Sequence, residues 1–581
     1  MKPFVFDKTV GWLHPAAGGR GVVIAGAHGF EDLCSRRFLT LMARQMAEAG
    51  LPVLQFDYPG CGDAPGDHTD PGRVAAWTGS IAAAIDRLKA ETGIDDVLVI
   101  GFRLGALLAP AAIAGRTDVA GLALLAPPLS GKAYVREMTG LSRMIDATLP
   151  AQPAGAPEPF DGLEAAGFRL SAETVAELRT LEWRDRLAAL PANELLVMPS
   201  QITPAHAELV EHASASGVAV RLKPFDGFSR LMSNPTANDI PHSTLVEIVE
   251  WAAQAGKSGK AESSPVAAKP PPMLEGDGYV EQPVVLGPSP EICGVLCLPA
   301  GAPALTEIVL ILNAGAIPHV GWARGGVEMA RSLARRGIGS MRVDLPGLGQ
   351  SEAPKEKRLF LYDARVGGDV TRILDWLEQA GFAQVCAAGI CAGGYQSFHA
   401  ARHDARIAHL AMVNPLCFSW NSSYALDMGL SKIRDNARDP LVGEPREADA
   451  PGGKLKTSVS RLGKRILRRS MELSKSGLSR AQRLADGSVE RWVQDLAASG
   501  TRVLVVTSEG DLSLEEIARH FGADGTRLKR IDGVTTALIA AADHTLTPAR
   551  ARAEVTDHLV RLLGVAGTKR EKPAVIASGV S

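Results

Sequence analysis

The sequence predicts an α/β protein built as two tandem domains, each a mostly parallel, doubly wound sheet with a lid insertion. Three observations carry this expectation. Apolar strand runs alternate with helical stretches, the same pattern occurs twice on either side of a Pro-rich segment, and matching positions keep nearly constant spacing in the two copies. The chain has 581 residues and 46% hydrophobic content, enough for two large cores.

The elements follow in order. The first copy opens on a strand ending Leu13-His14-Pro15-Ala16 and the second on one ending Cys297-Leu298-Pro299-Ala300. Buried-strand runs come next at Gly21–Ala25 and Ile308–Leu312, each leading through a Gly-containing loop into an Ala- and Arg-rich helix. Phe56–Gly62 and Val343–Gly349 then read as matching strand ends with tight turns. Asp57 to Arg103 is 103 − 57 = 46 residues and Asp344 to Cys391 is 391 − 344 = 47, a register that points to duplication. Insertions at lid positions are expected over Tyr134–Arg186 and Phe418–Leu496. The polar, Pro-rich stretch between Trp251 and Leu274 gives the boundaries: domains at 1–254 and 275–563, a linker at 255–274, and a disordered tail at 564–581.

Composition excludes several function classes. There are 62 Lys and Arg against 64 Asp and Glu, so nothing in the net charge of −2 argues for nucleic acid. The N-terminal residues lack the pattern of a secretory signal, and no apolar run reaches the roughly 18 residues of a membrane span. Seven scattered cysteines suit reduced thiols, which places the protein in the cytosol as an expectation. Cys293 and Cys297 read as buried strand residues rather than metal ligands, and no metal or cofactor is expected.

The chemistry concentrates at Gly389-Ile390-Cys391-Ala392-Gly393. This is a Gly-x-nucleophile-x-Gly turn, in which small flanking residues let a strained strand-to-helix bend hold the nucleophile clear of the sheet. A carboxylate and a histidine are expected downstream in that order, and Asp511 and His544 fill the places, with Glu509 as the alternative acid and Asp543 less suited because it adjoins the histidine. Imidazole would take the thiol proton while the carboxylate fixes its tautomer. The Ala392 N–H and the loop Asn313-Ala314-Gly315-Ala316 would supply oxyanion donors, so Ala392, Ala314 and Gly315 are the candidates. His319 either shapes that loop or caps it.

The first half carries Gly101-Phe102-Arg103-Leu104-Gly105 at the same place. Thr203 falls opposite the acid and Asn234 near the histidine, so Arg103, Thr203 and Asn234 form a degenerate site unable to do triad chemistry. Arg103 has two readings: an anion site on a helix N-terminus, or a structural ion pair. The second lid carries Lys454, Lys456, Arg461, Lys464, Arg465, Arg468, Arg469, Lys475, Arg480 and Arg483 against Glu472. It reads as a basic amphipathic helix, either a solvated face or a dock for an anionic carrier such as coenzyme A or acyl carrier protein, an acidic polysaccharide or a membrane surface.

The first half resembles the exosortase-A-system-associated hydrolases through Gly101–Leu108 and Pro128-Leu129-Ser130-Gly131-Lys132. The second is similar to serine-aminopeptidase-like and dienelactone-hydrolase-like α/β-hydrolases of bacterial exopolysaccharide loci through Gly389–Tyr395 and Val413-Asn414-Pro415. The resemblance implies two tandem α/β-hydrolase domains and esterase, thioesterase or acyltransferase chemistry on a small acyl ester or thioester. Fusion of two domains and cysteine in place of serine both depart from the usual pattern. The expected function is therefore hydrolysis of an ester or thioester by Cys391, His544 and Asp511, with acyl transfer as the runner-up and a non-catalytic scaffold as the contrasting class. Oligomeric state stays open, and an internal pseudo-dimer is one arrangement the duplication allows.

Overall fold

The strand runs pair into two mixed sheets. The computed structural model describes residues 1–564 apart from 8, 148, 150–159, 183–191, 234, 237–238, 256–272, 288–289, 303–304, 355–361, 363–365 and 421–486. The first sheet uses β1 (Lys2–Phe6), β2 (Thr9–His14), β3 (Arg20–Ala25), β4 (Val53–Phe56), β5 (Asp96–Phe102) and β6 (Val119–Leu125). A separate hairpin, β7 (Gly162–Ala165) with β8 (Phe168–Ser171), precedes the last two strands, β9 (Glu194–Met198) and β10 (Ala219–Leu222). The order is β1-β2-β4-β3-β5-β6-β9-β10, antiparallel up to β4 and parallel beyond it.

The second sheet repeats this plan with one more edge strand, β11 (Leu274–Gly276). It continues through β12 (Tyr279–Leu286), β13 (Ile292–Pro299), β14 (Glu307–Leu312), β15 (Gly339–Asp344), β16 (Gln384–Ile390), β17 (Ile407–Val413), β18 (Arg502–Ser508) and β19 (Val534–Ile539). Its order is β11-β12-β13-β15-β14-β16-β17-β18-β19, parallel from β15 onward. Parallel strands need crossover helices, and these cover both faces. Strand periodicity makes the point: Val97 and Val99 enter one core cluster while Leu98, Ile100 and Phe102 enter the other, and Val503 and Val505 split from Leu504 and Val506 in the same way.

Some boundaries move. Leu274, assigned to the linker, already pairs with Glu281 in the second sheet, and Gly564, assigned to the tail, closes the last helix by donating its N–H to the Arg561 carbonyl. The rest of the linker and tail, and the basic segment from Lys454 to Arg483, lie outside the described residues. In the first insertion, helix Gly131–Asp146, the β7–β8 hairpin and helix Ala172–Arg179 are described. Cys293 and Cys297 are buried in β13. Among the described residues, no helix is long and apolar enough to cross a membrane.

The halves pack about a pseudo-two-fold axis. Arg37 donates to the Gly349 and Ser351 carbonyls at 3.2 and 2.6 Å, and Arg324 donates to the Gly62 and Ala64 carbonyls at 2.8 and 2.5 Å. Arg44 donates to the Gln350 carbonyl at 2.9 Å, and Arg331 to the Asp63 carbonyl at 2.7 Å. Each pair is related by one offset, since 324 − 37 and 331 − 44 both equal 287, as do 349 − 62 and 351 − 64. Reciprocal contact of the same surface patch is the mark of an isologous interface, here made within one chain.

Candidate active site

The nucleophile position is built by β16, a tight bend and the helix Ala392–Ala401. Cys391 sits at the bend with φ 56° and ψ −118°, a strained conformation for a residue with a Cβ. Its N–H is held by the Val413 carbonyl at 2.9 Å. The flanking glycines are required by contact: a Cβ on Gly389 would come within 2.2 Å of the Gly393 backbone, and one on Gly393 within 2.8 Å of the Leu312 carbonyl.

Asp511 follows β18 as the N-cap of helix Leu512–Phe521, so local structure already fixes its carboxylate. One oxygen accepts from the Ser513 N–H at 2.9 Å, and the other lies 2.8 Å from Nδ1 of His544. Glu509, the alternative acid, instead reaches the Ala541 N–H at 3.4 Å. Asp543 braces the histidine loop through the Thr547 N–H at 2.7 Å and the Thr545 hydroxyl at 2.6 Å.

Nε2 of His544 is buried, and the residue lines the same cavity as Cys391. Burial opposes the imidazolium, but the interactions with Cys391 and Asp511 outweigh it and hold the ring well above the ordinary imidazole range. Burial alone would raise the Asp511 carboxyl; hydrogen bonds and charge from His544 and Ser513 bring it below its usual value.

Residues the sequence did not single out for the site complete its surroundings. Asn414, in the left-handed region at φ 47°, donates to the His544 carbonyl at 2.9 Å and accepts the Ser508 N–H at 2.7 Å, tying β17, β18 and the histidine loop together. Tyr362 and Trp420 stack at 4.4 Å in the cluster that includes Cys391. Thr236, from the first half, borders the same cavity.

That cavity has a volume of about 220 Å³ and joins Cys391, His544, Ala314 and Gly315. Its apolar wall runs inward past Ile311, Ala411, Met329, Val555 and Leu559, and no carboxylate lines it among the described residues. Ala392 is buried at the first position of its helix, where backbone N–H groups have no intrahelical partner. The facing loop is held by Asn313, which donates to the Ile317 carbonyl and to Asp344, both at 3.0 Å, and by the His319 N–H, which donates to Asp344 at 2.6 Å.

The first half keeps the bend with an arginine at its tip. Arg103 has φ 52° and ψ −108°, nearly the angles of Cys391. Its guanidinium is consumed by Glu31 at 2.6 Å, Glu137 at 2.5 Å and the Ala126 carbonyl at 3.2 Å, which favours the structural ion pair over the anion site. Thr203 occupies the N-cap that Asp511 fills in the other half, in a capping box with His206. Asn234 lies outside the described residues. His28 is buried against Trp77 and its imidazole is held neutral, down at about 3, by burial and then by His68; the cavity beside it measures about 30 Å³.

Comparison with known proteins follows the same division. Residues 20–162 match the family described as serine aminopeptidase, S33, and residues 307–440 match the one described as alpha/beta hydrolase fold. No curated protein matches the chain significantly in sequence. Among solved structures, the chain is similar to the methylesterase BT1017 at 16% identity and a TM-score of 0.30; the match covers 50% of this chain and 57% of that one. It is similar to Est1E from Butyrivibrio proteoclasticus at 16% identity, 48% and 99% coverage and a TM-score of 0.28. It is also similar to a proline iminopeptidase from Mycobacterium smegmatis at 13% identity, 44% and 98% coverage and a TM-score of 0.31. With two α/β-hydrolase segments on two sheets of one plan, the chain belongs to the α/β-hydrolase superfamily as a tandem of that fold.

Proposed function

We propose that the second half hydrolyses an ester or thioester through Cys391, His544 and Asp511, and that the first half is catalytically silent. The observation that carries this reading is the 2.8 Å contact of Asp511 with His544, which lines one cavity with the cysteine at the bend. The Cys391 sulfur attacks the carbonyl carbon and forms a thioester. His544 takes the thiol proton and returns it to the departing alkoxide or thiolate. In the second step His544 draws a proton from water, which attacks the thioester and restores the thiol. The Ala392 N–H and the backbone of Ala314 and Gly315 stabilise the oxyanion in both steps.

The cavity supports a substrate with an apolar acyl group. Its inner wall is aliphatic, and Arg552, the one guanidinium among the described lining residues, is engaged by Glu328 and the Leu546 and Thr547 carbonyls. A peptide N-terminus would need a carboxylate to receive its ammonium, and none lines the described cavity, so an acyl ester or thioester fits better than an aminopeptidase substrate.

The test is turnover of aryl esters and acyl thioesters of increasing chain length, with and without alcohol acceptors. We expect Cys391→Ala and His544→Ala each to lower kcat by about 10³-fold or more. Wild-type rates in either variant would end the proposal, and products appearing on the acceptor would identify transfer in place of hydrolysis.

A further inference from the structure

The loop that faces Cys391 is braced from both halves. His319 lies between two carboxylates: Nδ1 is 2.7 Å from Asp344 and Nε2 is 2.7 Å from Asp63 of the first half. Both ring nitrogens face acceptors, so the ring bridges the halves as an imidazolium; burial opposes that charge, and Asp63 and Asp344 overcome it, raising the ring to about 10. Asp63 is itself fixed by Arg342 at 3.0 and 3.2 Å. Further along, the Trp322 indole N–H donates to the Ala166 carbonyl at 2.9 Å, and Arg324 binds the Gly62, Ala64 and Gly66 carbonyls. At the other end, Thr236 would lie 3.5 Å from a Cβ placed on Gly315.

The relation is not reciprocal. By the 287 offset, Gln350 stands where Asp63 does and Asp32 where His319 does. Asp32 is paired within its own half by Arg36 at 2.7 Å, while Gln350 meets the Thr40 hydroxyl at 3.1 Å. The charged bridge therefore runs from the first half into the oxyanion loop of the second, and no such bridge runs the other way among the described residues.

We infer that the first half serves as a built-in positioning subunit: Asp63, acting through His319, holds the loop from Asn313 to Trp322 so that Ala314 and Gly315 face the carbonyl bound at Cys391. This rests on the acyl chemistry proposed above. Asp63 touches no reacting atom, so it is a positioning residue. Loss of its charge loosens donors that must be aimed before the tetrahedral intermediate forms, while the thiol and its histidine keep their own supports in Asn414 and Asp511.

Two reactions of the full-length chain separate the effects. Alkylation of Cys391 by iodoacetamide displaces iodide at a saturated carbon and develops no oxyanion, whereas ester turnover does. For Asp63→Asn we expect kcat on an aryl ester to fall about 10- to 100-fold, KM to move less than about threefold, and the Cys391 alkylation rate to stay within about twofold. Trp322→Phe, which removes only the indole hydrogen bond to the first half, serves if Asp63→Asn does not fold; its expected loss in kcat is about three- to tenfold, again with alkylation preserved. Unchanged turnover, or turnover and alkylation falling together, would overturn the inference. In the wild-type chain, a Cys391 no faster to alkylate than the remaining cysteines would instead remove the acyl chemistry itself.

Discussion

At the scale of single residues, Cys391 is half-buried at a bend, whereas most other cysteines are buried. Burial pushes the thiols of Cys34, Cys293 and Cys386 up, and those of Cys61 and Cys297 to about 12, so these five resist forming thiolates at neutral pH. The Asp511–His544 pair makes a further prediction about stability. Asp511 is lowered on folding, so its contribution is present above its unfolded value of about 3.9 and is lost as pH falls through the folded value. His544 is raised, so its contribution is complete below an unfolded value of about 6.5 and is lost as pH rises through the folded value. The difference in Tm between the wild type and Asp511→Asn should therefore be largest between about pH 4 and 6.5 and shrink on either side. A difference that grew steadily with alkalinity would contradict an ion pair at this place. The types and order of these residues were readable in the chain because local turns present them. Asn414 was visible only as part of a motif, and its clamp role was not, because its partners lie on β18 and in the histidine loop.

At the scale of elements, the bend has been conserved in shape by sterics independent of its chemistry. In the first half a Cβ on Gly105 would meet the Ala25 carbonyl at 2.0 Å, just as one on Gly393 would meet the Leu312 carbonyl in the second half. Close approach of the helix to the neighbouring strand end therefore requires glycine whether or not a nucleophile is present. Gly393→Ala should push the helix Ala392–Ala401 away from β14, at a cost of about 1–3 kcal/mol in denaturant unfolding. The same displacement should slow Cys391 alkylation, because the sulfur rides on the bend. Full stability and reactivity in this variant would mean that the strand end yields instead. These elements were legible because strand periodicity and Gly spacing act over a few residues. The strand at Leu274 escaped notice because an edge strand of three residues carries too little pattern beside a Pro-rich segment.

At the scale of the whole molecule, the two halves form one unit. Arg342 is buried and divides its guanidinium between Asp63 of the first half and Glu281 of its own half, at 3.0 and 2.7 Å. Removing one partner from such a buried group costs about 3–5 kcal/mol, a large share of the roughly 5–15 kcal/mol that stabilises a domain. Residues 273–581 expressed alone should accordingly unfold at a lower urea concentration than the same half in the full chain, as read by intrinsic fluorescence, and adding residues 1–254 in trans should shift the midpoint back upward. Equal midpoints would show that the interface contributes nothing to the second half.

The sequence by itself determined the duplicated α/β plan, the two glycine-flanked bends and the order of thiol, acid and imidazole, because each is written in local spacing and strand periodicity. Only the tertiary structure decided that Asp511 rather than Glu509 meets His544, that Arg103 is spent on Glu31 and Glu137, and that Asp63 reaches His319 across the interface. Those outcomes depend on side chains brought together from distant parts of the chain, where burial and pairing of charge settle which of several chemically equal candidates makes the contact.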